Sequence, residues 1–165
     1  MTFTPLKEAP MRSLVVALAL GLVLGGTGEA QGGPGRWSLG IHGGADLTDG
    51  HTLKLLGAHL AVGIARGTRI QVGVTSVIEE PGTTIFALAG GQWSPAPWTI
   101  RPFLGGGIGM GYQEVGPFTE TDFGWLAQGG FRIALRNLTP FAELRMMGFT
   151  GTTTQVLVGF ESRAY

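Results

Sequence analysis

Between Phe123 and Arg136 the chain reads Phe-Gly-Trp-Leu-Ala-Gln-Gly-Gly-Phe-Arg-Ile-Ala-Leu-Arg. Every second residue from Phe123 to Leu135 is apolar or small, and the residues between them include Gln128, Arg132 and Arg136. A period of two residues indicates an extended strand with one apolar and one more polar face. The class of protein therefore depends on whether the apolar face turns toward a core or toward lipid.

The same alternation recurs along the chain and predicts eight β-strands, with no helical periodicity after the N-terminal segment. The predicted strands span about 36–46, 53–65, 68–78, 83–93, 99–113, 123–136, 139–149 and 154–163. The fourth strand is apolar on both parities, so its facing stays open.

Composition limits the function. The 165 residues are enough for one domain. There is no Cys, which excludes disulfides, thiol catalysis and thiolate metal sites. Charged residues make up 13%, about half of the ~25% that is usual in soluble domains. The net charge is zero, which argues against nucleic acid as a partner.

The N-terminus has the pattern of a Sec-type signal peptide. Lys7 and Arg12 precede an apolar run from Leu14 to Leu24, and Gly28 and Ala30 flank Glu29 in a small-x-small end. The run is shorter than the ~20 residues that a membrane-spanning helix needs. We expect residues 1–30 to be a signal peptide, 31–35 a lead-in and 36–165 the folded domain.

The predicted connections fall into two sets. Those at 66–67, 94–97 and 137–138 are short, and those at 46–52, 79–83, 114–122 and 148–153 are mostly longer. Seven acids lie in or beside the longer set: Asp46, Asp49, Glu79, Glu80, Glu114, Glu120 and Asp122. Short turns on one side and longer polar loops on the other are typical of transmembrane barrels.

Aromatic residues concentrate toward strand ends, as in the two aromatic girdles of a membrane barrel. The residues predicted to form them are Trp37, Trp93, Trp98, Tyr112, Phe123 and Trp125.

The facing of the strands follows from the polar parity. If the apolar parity faced inward, water would meet a surface of Gly with few charges, which is poor for solubility. If it faces lipid, the interior holds Arg69, Gln71, Arg101, Gln128 and other polar residues. A polar interior and an apolar exterior are the membrane arrangement, and the sheet must then close on itself.

On these residues the chain resembles the small eight-stranded outer-membrane barrels related to the OmpA transmembrane domain and OmpX. The resemblance covers about 36–165 and rests on the signal segment, Arg101–Tyr112, Gly124–Arg136 and Pro140–Arg145. Such barrels usually end in a lipid-facing aromatic residue. Phe160 has that parity here, whereas Tyr165 does not.

Four inward-facing residues on three consecutive strands predict a lumen ion network: Arg132, Glu143, Arg145 and Glu161. We expect Glu143 to lie between Arg132 and Arg145. The glycines from Gly105 to Gly111 match no nucleotide-binding fingerprint, because no helix and no Gly-Lys-Ser/Thr follows. Alternate Gly in a strand leaves room for large neighbours.

The sequence predicts no catalytic residues, metal or cofactor. The three histidines are His42, His51 and His59, and none has a Ser two residues further on. A His–Ser–Glu arrangement with Ser38 or Ser76 stays an alternative, as in lipid A-modifying barrel enzymes.

The function expected is an outer-membrane barrel with a side-chain-filled lumen and acidic external loops, in a structural or surface-interaction role. Its expected partners are outer-membrane lipid, lipopolysaccharide and, during insertion, the barrel-assembly machinery. A soluble periplasmic lipid-binding barrel is the second alternative.

Overall fold

The computed structural model describes residues 35–48, 52–78, 83–95, 99–115, 118–135 and 138–163. The predicted signal peptide, most of the lead-in, His51, Trp98, Arg136 and Tyr165 lie outside these residues. The described part of the chain contains no helix that is long and apolar enough to cross a membrane.

Eight strands form the structure: β1 (Trp37–Asp46), β2 (Leu53–Ala65), β3 (Thr68–Ile78), β4 (Thr83–Trp93), β5 (Ile100–Val115), β6 (Phe118–Ile133), β7 (Leu138–Gly148) and β8 (Thr152–Arg163). Each strand pairs antiparallel with the next, and β8 pairs with β1, so that the sheet is a closed up-and-down barrel. The predicted fold class is confirmed.

The bounds of β2, β3 and β4 agree with the sequence prediction, but those of β5 and β6 do not. The predicted loop at 114–122 belongs almost wholly to these two strands, and only residues 116–117 connect them. Pairs such as Tyr112 with Thr121 and Gln113 with Glu120 continue the ladder through a polar segment. The sixth strand also ends at Ile133, three residues before the predicted end.

We call the end of the barrel that holds the start of β1 and the end of β8 the terminal end, and the other the far end. Connections 66–67, 94–99 and 134–137 lie at the terminal end, and 47–52, 79–82, 116–117 and 149–151 at the far end. The predicted division into short turns and longer loops is therefore wrong. The acids of the far end also lie partly on strands, because Asp46, Glu114, Glu120 and Asp122 belong to β1, β5 and β6.

The facing of the two parities agrees with the membrane-type prediction. Leu104 and Ile108 on the exterior are 68% and 71% exposed, whereas Glu161, Arg145 and Gln155 in the lumen are at most 3% exposed. On β4, Phe86, Leu88 and Gln92 are buried and Trp93 is exposed, which settles the facing that the sequence left open.

Glycines in the lumen lie directly opposite large side chains. Gly40 pairs with His59, and Gly57 with His42, and in both cases a Cβ on the glycine would overlap the imidazole ring. Gly159 pairs with Phe141, and a Cβ there would approach the ring to 2.7 Å. The glycines of the lumen therefore provide the space that the functional side chains occupy.

Candidate functional site: the polar lumen

A carboxylate with three cationic or polar partners occupies the terminal end of the lumen. Glu161 on β8 accepts two hydrogen bonds of 2.6 Å from Nη1 and Nη2 of Arg69 on β3. Arg132 Nε on β6 donates to the same carboxylate at 3.3 Å. Arg69 makes the fork-to-fork contact that guanidinium and carboxylate groups favour, and it does so across the lumen.

His59 and Gln92 complete this group. His59 Nε2 lies 3.1 Å from Glu161 Oε1, and it carries the proton because an ionised carboxylate can only accept. Gln92 Oε1 accepts from Arg69 Nε at 2.7 Å and also from Arg132. We call these five residues, Glu161, Arg69, Arg132, His59 and Gln92, the charged cluster.

The aromatic ring of Phe103 packs against the Arg132 guanidinium. Its Cζ lies 3.6 Å from the centroid of the Phe103 ring, and Phe103 itself is 1% exposed. The ring face attracts a cation, and the contact also covers the apolar side of the planar guanidinium. Phe103 thus fixes the plane in which Arg132 donates to Glu161 and Gln92.

A second ion pair lies nearer the middle of the lumen. Glu143 and Arg145 share one face of β7, and Arg145 Nε and Nη2 both lie 2.9 Å from Glu143 Oε1. Arg145 Nη1 donates to Thr75 Oγ1 at 3.1 Å, and Thr75 Oγ1 lies 3.0 Å from His42 Nε2. We call Glu143, Arg145, Thr75 and His42 the middle cluster.

Two imidazole rings join the two clusters. His42 and His59 stack with ring centroids 5.7 Å apart, and both meet the edge or face of Phe141. Each histidine is 3% exposed and bonds through Nε2 to a different cluster. The polar lumen is therefore one connected stack that runs from Gln92 to Glu143.

The four residues of the predicted ion network all face the lumen, but they divide between two clusters. The hydrogen-bonded ion pair of Glu143 is with Arg145, while Arg132 donates to Glu161. Glu143 thus has Arg145 as its hydrogen-bonded partner and lies within electrostatic range of Arg132, which is hydrogen-bonded to Glu161. Arg69, the closest partner of Glu161, was placed in the lumen by parity but was not included in the network.

The arrangement gives little support to the alternative of a hydrolytic site. The hydroxyl beside His42 belongs to Thr75 and not to Ser38 or Ser76, and the same hydroxyl accepts from Arg145. The carboxylate beside His59 is bound by Arg69 and Arg132. Within the described residues, no three His, Cys, Asp or Glu side chains group as metal ligands do.

The far half of the lumen is packed mainly by hydrocarbon, with one buried polar pair in which Gln155 Nε2 donates to Asp46 Oδ2 at 3.0 Å. Seven buried residues form one contact cluster, the apolar layer: Leu55, Val77, Phe86, Leu88, Leu126, Met147 and Leu157. Phe149, which follows β7, packs against this layer and stacks on Phe86 with centroids 5.1 Å apart. A cavity of about 10 Å³ lies between the middle cluster and the apolar layer, and its lining includes His42, Thr75, Gln128 and Arg145. It has room for about one water molecule.

Of the six residues predicted for the aromatic girdles, all but Trp98 lie in the described part of the chain. Trp37 begins β1 and Trp93 ends β4, both at the terminal end. Tyr112, Phe123 and Trp125 lie on the far-end halves of β5 and β6, and Trp125 pairs with Gly148, the last residue of β7. Phe123 is 78% exposed, so this side chain has little contact with the barrel itself.

A closed barrel with ion pairs inside and large apolar side chains outside is the transmembrane class of β-barrel. Comparison with solved structures gives the same fold. The N-terminal β-barrel domain of Pseudomonas aeruginosa OprF matches with a TM-score of 0.69 and 9% sequence identity, over 79% of this chain and 98% of that one. Neisserial surface protein A, NspA, matches with a TM-score of 0.62 and 11% identity, over 78% and 96%.

A de novo designed transmembrane β-barrel also matches, with a TM-score of 0.57 and 16% identity, over 82% of this chain and 99% of that one. No family model and no curated protein matches the sequence. The structure thus has the fold of the small eight-stranded outer-membrane barrels.

Proposed function

We propose that this protein is an outer-membrane barrel whose role is structural or lies in contacts at the cell surface, and that it is not an enzyme or a diffusion pore. The observation that carries the proposal is the inverted distribution of polarity. Glu161, Arg132 and Arg145 are buried in the lumen, whereas Leu104, Ile108 and Phe123 are among the most exposed side chains. Only a hydrocarbon solvent makes that distribution favourable.

Because side chains fill the lumen, we do not expect the barrel to act as a pore. The charged cluster, the middle cluster and the apolar layer together fill the lumen with side chains, and the cavity beside them has room for about one water molecule. An eight-stranded barrel is just wide enough for its side chains to fill. In planar bilayers we expect the protein to give no steady ion conductance, and a stable open channel would contradict this part of the proposal.

The membrane location can be tested by fractionation and by heat-modifiability. A closed barrel stays folded in cold detergent, so the unboiled protein should migrate differently from the boiled protein and should sediment with the outer membrane. A single band at all temperatures, together with release into the soluble periplasmic fraction, would contradict the proposal and favour the lipid-binding alternative.

The assignment of the apolar side chains to the lipid-facing exterior can be tested by arginine substitutions at mid-strand, at a strand end and in a loop. Ile108 lies at the middle of β5, so Ile108→Arg should destabilise the barrel by about 2–4 kcal/mol. Ile133 ends β6, so Ile133→Arg should cost only about 0–1 kcal/mol. Gly151 has open space around its Cα, which makes Gly151→Arg the matched control. Equal losses of unfolding free energy at the three sites would reject the assigned facing.

The remaining parts of the proposal rest on sequence. We propose that residues 1–30 are a cleaved signal peptide, with mature protein beginning near Gln31, and that Trp37, Trp93, Trp98, Tyr112, Phe123 and Trp125 mark the membrane interfaces. The proposed partners are outer-membrane lipid, lipopolysaccharide and the barrel-assembly machinery during insertion. N-terminal sequencing of the protein from the envelope should start close to Gln31.

A further inference from the structure

The charges of the barrel separate toward its two ends. In the described part of the chain, the terminal end has one acid, Glu161, and the cations Arg36, Arg66, Arg69, Arg101, Arg132 and Arg163. The strands of the far end carry Asp46, Glu114, Glu120 and Asp122, with Lys54 as a cation. Glu161 is bound by two of the arginines inside the lumen, and the exposed Arg66 adds positive charge to the outer surface of the terminal end.

Two exposed arginines and two tryptophans share one part of that surface. Gly63 N donates to Arg36 O at 2.7 Å, which places Arg36 beside the end of β2, and Arg66 follows the same strand in the turn to β3. Ser94 N donates to Gly67 O at 2.8 Å, so Trp93 lies beside that turn, opposite Thr68. We call Arg36, Arg66, Trp37 and Trp93 the arginine rim.

The turn itself holds Arg66 in place. Gly67 has a φ of 76°, a left-handed conformation that favours glycine, and a Cβ there would lie 2.5 Å from Ser94 O. The turn can therefore fold tightly against the start of the next connection. Arg66, which is exposed, directly precedes Gly67, and the 53%-exposed Trp93 directly precedes Ser94, so the backbone places both residues at this turn.

We propose that the arginine rim binds the phosphate groups of anionic phospholipids in the leaflet that the terminal end contacts. The inference rests on the proposed membrane-spanning function. Indole rings settle at the headgroup level of a bilayer, and arginine stems lie along apolar surface while the guanidinium reaches toward water. A planar guanidinium matches a phosphate group with two parallel hydrogen bonds. The acids at the far end make the opposite rim unfavourable for the same lipid.

The test measures which lipid lies next to a tryptophan at the arginine rim and next to a tryptophan nearer the far end. In the folded full barrel, one variant retains Trp93 alone (Trp37→Phe, Trp98→Phe, Trp125→Phe), and another retains Trp125 alone (Trp37→Phe, Trp93→Phe, Trp98→Phe). Each is placed in vesicles of phosphatidylcholine and phosphatidylglycerol, in which one lipid at a time carries brominated acyl chains that quench indole fluorescence. An arginine near an anionic surface contributes about 1 kcal/mol, which corresponds to about fivefold local enrichment.

For each tryptophan, the lipid preference is the quenching by brominated phosphatidylglycerol divided by the quenching by brominated phosphatidylcholine. We expect this preference to be about fivefold higher at Trp93 than at Trp125. Arg66→Gln in the Trp93 background should bring this preference down toward the value at Trp125, and high salt should do the same because it screens the charge. Lys54→Gln, which removes the same charge at the far end, is the matched control and should leave the value at Trp93 unchanged.

Quenching of both rings by brominated phosphatidylcholine would show that the protein is in the bilayer. If, in that case, the two tryptophans had equal lipid preferences, or if Arg66→Gln had no effect, the proposal that the arginine rim binds anionic phospholipid would be overturned. If neither brominated lipid quenched either ring, the protein would not be in the bilayer, and the proposed function would fail as well. Heat-modifiability of every variant shows that the barrel has folded.

Discussion

The two halves of the lumen are lined by the same eight strands but differ in the side chains that dominate them, although the far half also holds the buried pair of Asp46 and Gln155. At the far end, Leu55, Leu126 and Leu157 belong to an apolar layer that closes the barrel by van der Waals contact. At the terminal end, the charged cluster does so by hydrogen bonds around Glu161. Both halves reach the burial of a protein core, so burial alone does not distinguish them.

The difference lies in how each half responds to the loss of one member. An apolar contact is non-directional, and neighbours can relax into the gap that a truncated side chain leaves. An ion pair in a buried site is desolvated, and removing one partner leaves the other charge without compensation. The charged cluster should therefore be less tolerant of substitution than the apolar layer.

The largest effect is expected at the centre of the charged cluster. Glu161→Ala leaves Arg69 and Arg132 without their shared carboxylate, and should lower the free energy of unfolding by about 3–5 kcal/mol. Denaturant titration in detergent, followed by tryptophan fluorescence, measures the loss. Glu161→Gln keeps the shape and two hydrogen-bonding groups, so it should cost less. Equal stability of wild type and Glu161→Ala would mean that water already compensates these arginines.

A smaller loss is expected in the apolar layer. Leu157 is fully buried, and Leu157→Ala should cost about 3 kcal/mol through lost contact and a residual cavity. Its neighbour Val158 faces outward and is 59% exposed, so Val158→Ala provides a control on the same strand with the opposite facing. The same titration compares the two. If Val158→Ala were the more harmful change, the apolar layer would not be the packed half of the lumen.

These expectations depend on contacts that the sequence reveals only in part. Parity alone predicted the facing of Arg69, Gln128, Glu143 and Glu161, because a strand with one lipid face must alternate. Which residues meet across the lumen was not predictable in this way, since β3 and β8 are not neighbours in the sheet. Arg69 reaches Glu161 only because the barrel closes, so that the start of β3 and the end of β8 face each other across the lumen at the terminal end.

The errors in strand bounds have a similar cause. Arg66-Gly67 separates two clear alternations, and the bounds of β2 and β3 were correct. Thr119, Glu120, Thr121 and Asp122 have no apolar alternation, so the sequence pattern resembles a loop. They are strand residues because each pairs with β5, and cross-strand hydrogen bonds leave no mark on hydropathy.

The middle cluster allows a direct measurement of one buried ion pair. Glu143 and Arg145 lie two residues apart on β7 with an Nε to Oε1 distance of 2.9 Å. A double-mutant cycle with Glu143→Ala, Arg145→Ala and the combined variant should give a coupling free energy of about 2 kcal/mol. The combined variant should recover part of the loss, because it leaves neither charge buried alone. A coupling near zero would show that Arg145 is held mainly by Thr75.

The smallest effect compares how far the neighbours of a glycine can move in each half. Gly40→Ala places a methyl group against His59, whose ring is held by Glu161, so the ring has little freedom to move away. Gly109→Ala in the apolar layer places the methyl group 2.5 Å from Cδ2 of Leu88, the end of a flexible side chain.

We expect Gly40→Ala to cost about 1–3 kcal/mol and Gly109→Ala to cost less, because overpacking is tolerated best where a rotamer can change. Gly91→Ala is the control, since a Cβ at Gly91 has no atom within 4 Å and should leave the free energy of unfolding nearly unchanged. Denaturant titrations of the three variants give the ranking. If Gly109→Ala were the more destabilising, the apolar layer would be the more rigid half, and the contrast between hydrogen-bonded and apolar packing would have to be reversed.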